Sequence, residues 1–391
     1  MYIPLMEDNI VREDVNAVIS FLSQKKIPKL TNGPKVVEFE KAWSEWLGTK
    51  QSVFVNSGHS ANQVTMLAIK HLYGGGEVIL SPLNWISDVS SVIQNGFTPV
   101  FVDINYHNLG LNEEVLLQKI NNNTRAILLT HILGLNGLTD NIINICKEKN
   151  ILLIEDVCES HGTTHNGQLV GTFGDVSNFS FFFAHHMTTI EGGMVSTNNE
   201  ELYEHCRIFR SHGMLRECTN KNIVKSYHKR YPTVNPDFFF VNPAFNIRST
   251  EINAVLGLNQ IKRLSENVEK RTKNFNYFIK RLNPNKYYTK FDTEGNSNYA
   301  FIVILNPNNN PTNKTRDNIE KILIDNKIEF RRGLSGGGNQ LRQPYIQDNY
   351  NFDLTEFPVV EHIHKYSWYI GNYPSLQSSK IDKLLDLLNN A

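Results

Sequence analysis

Between residue 50 and about residue 215, hydrophobic positions fall into short continuous runs separated by amphipathic stretches. The runs Ser52–Val55, Val78–Leu80, Val100–Asp103, Ala126–Thr130, Leu152–Glu155, Asn178–Phe182 and Met194–Ser196 are β-branched or aromatic and bounded by turn residues, which predicts strands. Between several of them, Ala61–Leu72, Asn112–Ile120 and Asp140–Lys149 read as helices. Such alternation predicts an α/β fold with a mainly parallel sheet covered on both faces. Ser249–Arg281 reads as a long helical region opening on Ser-Thr-Glu. Beyond it, Tyr299–Leu305, Asp317–Asp325 and Ile328–Arg331 repeat strand, helix, strand, and the Asn/Pro-rich stretch Asn306–Asn313 is a loop by composition. The expected division is an N-terminal arm and large domain over 1–265, and a small C-terminal domain with its connecting helix over 266–391.

Composition narrows the class. A hydrophobic fraction of 40% against 20% charged residues, over 391 residues, is that of a globular protein able to bury a large core. Lys+Arg and Asp+Glu are equal at 39 each, so the chain lacks the basic footprint of bulk nucleic-acid binding. No apolar run reaches the length of a membrane span, and the acidic N-terminus MYIPLMEDNIVRED does not read as a secretory signal, so a cytoplasmic protein is expected. Cys146, Cys158, Cys206 and Cys218 form no C-x-x-C pair, so no metal site is expected.

Six segments carry candidate chemistry. Asn56-Ser57-Gly58-His59-Ser60-Ala61 joins a strand to a helix, where glycine and a helix N-terminus suit a phosphate; an ordinary strand–helix turn is the alternative. Trp85, in a loop after a strand, could stack on a flat cofactor or fill the core. Glu155 and Asp156 close an apolar strand, where a carboxylate needs a cation such as a protonated pyridine nitrogen, unless it serves as a helix cap or lies on the surface. The stretch SFFFAHHMTTIEGG, Ser180–Gly193, holds two adjacent histidines, His185 and His186, suited to proton transfer. Asn246 and Arg248 precede a helix start and could be part of its cap. Arg331 and Arg332, followed by LSGGGNQLRQP, could cradle a diphosphate or carboxylate, or form a solvated basic pair beside a mobile loop.

In order and spacing these pieces resemble the DegT/DnrJ/EryC1/StrS sugar aminotransferase and dehydratase family, over nearly the whole chain. The resemblance implies a fold-type I pyridoxal-phosphate enzyme, aspartate aminotransferase-like, acting on a nucleotide-linked keto sugar. Most members carry a lysine that bonds the cofactor in SFxxxKxxxxxEGG; here His185 stands at that position. The His-His pair, EDxCES at Glu155–Ser160 and the Asn-x-Arg before a helix are similar to the lysine-less branch, the nucleotide-linked 4-keto-6-deoxyhexose 3-dehydratases of bacterial surface-polysaccharide biosynthesis. By that resemblance the cofactor is pyridoxal or pyridoxamine 5'-phosphate, held without a covalent bond. Asp156 would hold the ring nitrogen, Trp85 would stack on the ring, and Glu159 would sit at the phenolic oxygen. The backbone of Gly58, His59 and Ser60 and the Ser180 hydroxyl would hold the phosphate, reached by Asn246 from a second subunit of a homodimer. His185 would be the base, and His186, Arg248, Arg331 and Arg332 would be substrate contacts. L-Glutamate would donate the amine, and a GDP-linked 4-keto-6-deoxy sugar is the favoured substrate. An aminotransferase using another base and a silent cofactor or nucleotide-sugar sensor are the alternatives. A branch with an iron–sulfur cluster also has this histidine, but it needs closely spaced cysteines that this chain lacks.

Overall fold

The computed structural model describes residues 2–391. Its large sheet has seven strands: Gln51–Val55 (β1), Glu77–Leu80 (β2), Thr98–Phe101 (β3), Thr124–Thr130 (β4), Leu152–Asp156 (β5), Val176–Ser180 (β6) and Gly193–Thr197 (β7). Their order across the sheet is β1-β7-β6-β5-β4-β2-β3. Only β7 runs against its neighbours; β6, β5, β4, β2 and β3 pair in parallel. The apolar runs are continuous because helices cover both faces: Ile79, Ile127 and Leu153 belong to one buried cluster and Leu80, Leu128 and Ile154 to another. Parallel strands put their carboxyl ends on one edge, so the residues after β1, β2, β5 and β6 meet there.

A second sheet of three antiparallel strands follows, Ala300–Ile304 (β8), Phe330–Arg332 (β9) and Ser367–Gly371 (β10), in the order β8-β10-β9. The N-terminal segment ties the two sheets together. Ile3 pairs with Ile328 beside the small sheet, while Asp14 accepts hydrogen bonds from Asn259, Gln260 and Arg263. That buried cluster coincides with a break in the long helical region, which divides into Glu251–Gln260, a 3-10 turn at Ile261–Arg263 and Leu264–Ile279.

Three expectations shift. The strand expected at Asn178–Phe182 is Val176–Ser180, because the chain turns at Ser180: Phe181 donates to Gly192 and Thr189 donates back to Phe181. The aromatic run reads as strand but leaves Phe182 and Phe183 exposed on the turn. The strand expected to reach Asp103 stops at Phe101, and Asp103 instead accepts the Val359 and Val360 amides at the start of helix Pro358–Tyr366. The loop Asn306–Asn313 holds a short 3-10 turn at Pro307–Asn309, and Asn313 already opens the next helix. No described helix is long and apolar enough to cross a membrane.

Candidate active site at the carboxyl edge of the sheet

The first wall of the edge is an anion cradle. Ser57 caps helix Gly58–Tyr73, its Oγ accepting the Ser60 amide at 3.1 Å, and Ser60 Oγ donates to Asn56 at 2.6 Å. Ser60 is therefore spent on the cap, contrary to its expected part in binding, and the amides of Gly58 and His59 remain as the first-turn donors without a helical partner. The His59 ring lies along the helix, accepting from Gln63 at 3.2 Å. An added Cβ at Gly58 would lie 2.6 Å from Ser180 Cβ and 3.0 Å from its hydroxyl. One at Gly193 would lie 2.2 Å from the Ser57 carbonyl. The two glycines thus let the loop after β1 touch the end of β6 and the start of β7, which brings Ser180 to the helix N-terminus. Such a terminus favours a phosphate. The stretch Asn246–Arg248 runs alongside: Asn56 donates to the Ile247 carbonyl and Arg248 bridges to Val55. Asn246 is exposed and Arg248 half-buried.

Trp85 is not a core residue: it is 56% exposed on the loop after β2. Beside it lies the glycine loop of the small domain. An added Cβ at Gly336 would meet the Asn84 carbonyl at 2.3 Å, Gln340 donates to the Pro82 carbonyl, and Ser335 Oγ donates to Glu159 at 3.1 Å. The loop is therefore packed onto the edge and forms its second wall. Of the two arginines before it, Arg332 is committed elsewhere. Its guanidinium holds Glu320 through two bonds of 2.6 Å on the outer surface, so the structure does not bring it to the site. Arg331 is exposed, in register with Tyr369.

The acids at the end of β5 point to opposite sides. Glu155 is buried and complete, accepting the amides of Gly171, Phe173 and Gly174 and facing His131 at 3.3 Å. Asp156 faces the edge. Its Oδ1 accepts the Cys158 amide at 2.9 Å and its Oδ2 accepts Asn62 Nδ2 at 2.8 Å. The same Asn62 nitrogen lies 2.7 Å from Asp88 Oδ1, and Thr130 donates to Asp88 at 2.6 Å. Burial pushes the Asp88 carboxyl well above the usual range, with the Asp156 carboxylate adding to it. Glu159 accepts the Leu133 amide and the Ser335 hydroxyl, yet burial pushes it to about 7.

The two histidines separate. His186 is fully buried. Its Nε2 donates to the Ser297 carbonyl, which leaves Nδ1 to accept from His161 Nδ1 at 3.4 Å. With both nitrogens used and no exposure, it is a core residue and not the substrate contact expected. His185 sits on the turn, its ring centroid 5.5 Å from that of Tyr299, with Nδ1 buried and unpaired. Burial holds its imidazole down to about 4, opposed by the Asp156 carboxylate and reinforced by the Arg271 guanidinium. Arg271 is buried beneath, donating to the Tyr299 and Asn372 carbonyls.

The structure thus gathers Gly58, His59, Trp85, Asp156, Glu159, Ser180 and His185 at one edge. Sequence reasoning missed Asn62, Asp88, Arg271, Tyr299 and Ser335. Asp88 had a visible signal, three residues after Trp85, but an acid in the first turn of a helix reads as a dipole partner. A planar cationic ring bearing a phosphate fits these residues: the cradle takes the anion, the exposed indole faces the ring, and Asp156 lacks a cation.

Comparison with known proteins agrees. The DegT/DnrJ/EryC1/StrS aminotransferase family matches residues 8–389. GDP-4-keto-6-deoxy-D-mannose 3-dehydratase of Yersinia pseudotuberculosis is 30% identical over 391 residues, covering 98% of both chains. GDP-perosamine synthase of Escherichia coli O157:H7 is 26% identical over 388 residues, covering 99% of this chain and 98% of the relative. A crystal structure of GDP-4-keto-6-deoxymannose-3-dehydratase with a trapped PLP-glutamate geminal diamine superposes with a TM-score of 0.86 at 27% identity, over 99% of this chain and 100% of that one. The expected fold, an aspartate aminotransferase-like α/β fold with a mainly parallel large sheet and a smaller C-terminal α/β part, is met. The chain belongs to the DegT/DnrJ/EryC1/StrS aminotransferase family.

Proposed function

We propose that this chain is a 3-dehydratase of a nucleotide-linked 4-keto-6-deoxy sugar, using pyridoxal and pyridoxamine 5'-phosphate without a covalent tether. The observation that carries the reading is His185: an imidazole, on the turn between β6 and β7, at the edge where Gly58, Trp85, Asp156 and Ser180 also gather. The likeness to a 3-dehydratase over nearly the full chain supports it, and GDP is favoured as the nucleotide for the same reason. The bound cofactor supplies an amine for the sugar ketone and an electron sink.

The chain supplies the rest. Gly58, His59 and Ser180 would hold the phosphate, and Trp85 would stack on the ring. Asp156 would neutralise the ring nitrogen, and Glu159 would lie at the phenolic oxygen. His185, kept neutral at pH 7 by burial, is in its proton-accepting form. It takes the proton from the carbon next to the cofactor amine and returns it to the C3 hydroxyl, which leaves as water. An imidazole takes and returns a proton without bonding the cofactor, where a lysine would bond it and guide the proton to C4. The net reaction would convert the sugar and L-glutamate to a 4-keto-3,6-dideoxy sugar, ammonia and 2-oxoglutarate.

Arg248 and Arg331 remain for the substrate phosphates. Phe238, Phe240 and Phe245 are exposed on the segment leading to Asn246, which supports a homodimer sharing its sites through Asn246. Light scattering that gives a monomer at working concentration contradicts that part. The function is tested by product mass: with pyridoxal phosphate, glutamate and GDP-4-keto-6-deoxymannose, the product lacks the C3 oxygen and ammonia appears.

A further inference from the structure

Behind the ring side of the site, three elements converge on two acids. Asp88 comes from helix Ile86–Gln94, Asn62 from helix Gly58–Tyr73 and Asp156 from the end of β5. Asp88 and Asp156 are only 1% and 3% exposed. Asn62 Nδ2 lies 2.7 Å from Asp88 Oδ1 and 2.8 Å from Asp156 Oδ2, so one amide nitrogen joins the two carboxyls. The remaining oxygens are taken by Thr130 Oγ1 on Asp88 and the Cys158 amide on Asp156. Among the described residues no lysine, arginine or histidine pairs with either acid. The other titratable groups facing the pair are Glu159, Cys158, Tyr345 and His185, and burial holds the His185 imidazole down to about 4, so it is not a cation at neutral pH.

Two buried like charges this close do not both persist without a cation. The hydrogen bonds decide which acid keeps the charge. Asp156 accepts a backbone amide and opens toward the crevice. Asp88 is 1% exposed and accepts no backbone amide, only the Asn62 amide and the Thr130 hydroxyl. A single proton on Asp88 leaves the pair with one negative charge, which would balance the positive charge of one protonated ring nitrogen.

We infer that Asp88 carries a proton at neutral pH, directed at Asp156, and so acts as a positioning residue that fixes Asp156 as the single anion offered to the cofactor. The role rests on the cofactor reading above; the protonation itself does not. The first test therefore uses the apoprotein, with aspartate carboxyls labelled with carbon-13 so that Glu159 is silent, read by infrared spectroscopy. The expected result is a protonated aspartyl carboxyl at neutral pH that disappears in Asp88→Asn. A spectrum with every aspartate ionised, or a signal that survives Asp88→Asn, overturns the assignment.

The second test reads pyridoxal phosphate affinity by quenching of the protein's tryptophan fluorescence. Asp88→Ala weakens binding by about tenfold, and Asp88→Asn, whose amide donates as the protonated acid does, recovers most of it. If Asp88→Asn binds as poorly as Asp88→Ala, Asp88 acts through a charge and the inference fails. Wild-type protein that binds no pyridoxal phosphate sinks the cofactor reading and the role together, whereas a bound cofactor with no protonated aspartate sinks only this assignment.

Discussion

The carboxyl edge of the large sheet and the layer just beneath it are built from the same residue types at adjacent positions, yet their partners differ. Beneath the edge, Glu155 is closed by three backbone amides and His186 by Ser297 and His161. At the edge, one residue away in each case, Asp156 has no cation and His185 Nδ1 has no partner. A buried carboxylate without a cation beside an unpaired imidazole nitrogen is a combination that a cationic ligand would complete. The difference teaches that residue type did not choose the functional member of each pair. Side of strand and side of turn did.

The largest effect that sharpens this contrast is at His185. His185→Asn lowers elimination by about 10²–10⁴-fold, the usual contribution of a general acid–base residue, with cofactor binding retained. Ammonia release measures the first and the absorbance of bound cofactor the second; unchanged ammonia release would break the comparison. The partner of that prediction is His186→Asn, which leaves the Ser297 carbonyl and His161 short of a hydrogen bond. It costs about 1–3 kcal/mol of stability, measured by denaturant unfolding, with turnover per folded molecule little changed. Equal losses of turnover at both positions would mean that the two histidines act as a unit.

The acids make the next pair. Asp156→Asn weakens pyridoxal phosphate binding by about 1.5–3 kcal/mol, the worth of a hydrogen bond to a charged group, as measured by equilibrium titration. Glu155→Gln acts on folding instead, because it disturbs the loop Gly171–Gly174, and thermal unfolding detects it.

The last contrast is in the pH dependence, where the effect is confined to acid pH. His185 has its folded pKa depressed to about 4 from an ordinary 6.5, so its neutral form adds stability that is fully present above pH 6.5. That stability is lost as pH falls toward about 4. The melting temperature of the wild type therefore drops more steeply through that window than that of His185→Asn. Parallel curves would place His185 in water.

Much of the edge was legible in the sequence because its parts are local. Gly58 with Ser57, Asp156 with Cys158, and Ser180 with Gly193 lie in short segments whose strand–turn patterns carry the geometry. His185 could be told from His186 only by register with a lysine position; nothing in the composition of the turn separates them. The rest was hidden because tertiary packing creates it. Asn62 is an unremarked helix residue until the fold sets it between Asp88 and Asp156. Ser335 lies 176 residues from the Glu159 it touches. Arg332 looked free, but helix Asn313–Asp325 supplies Glu320 across its path. The end of β6 was misplaced because Phe181, Phe182 and Phe183 have the strand preference of a core segment while the chain turns at Ser180.

The central claim is that an imidazole in the lysine position turns an aminotransferase site toward loss of a hydroxyl. The most direct measurement is the mass of the sugar product after a single turnover of protein preloaded with pyridoxamine phosphate, on GDP-4-keto-6-deoxymannose. The account predicts a 4-keto-3,6-dideoxy sugar with one equivalent of ammonia. A stable 4-amino sugar that keeps its C3 oxygen would contradict it.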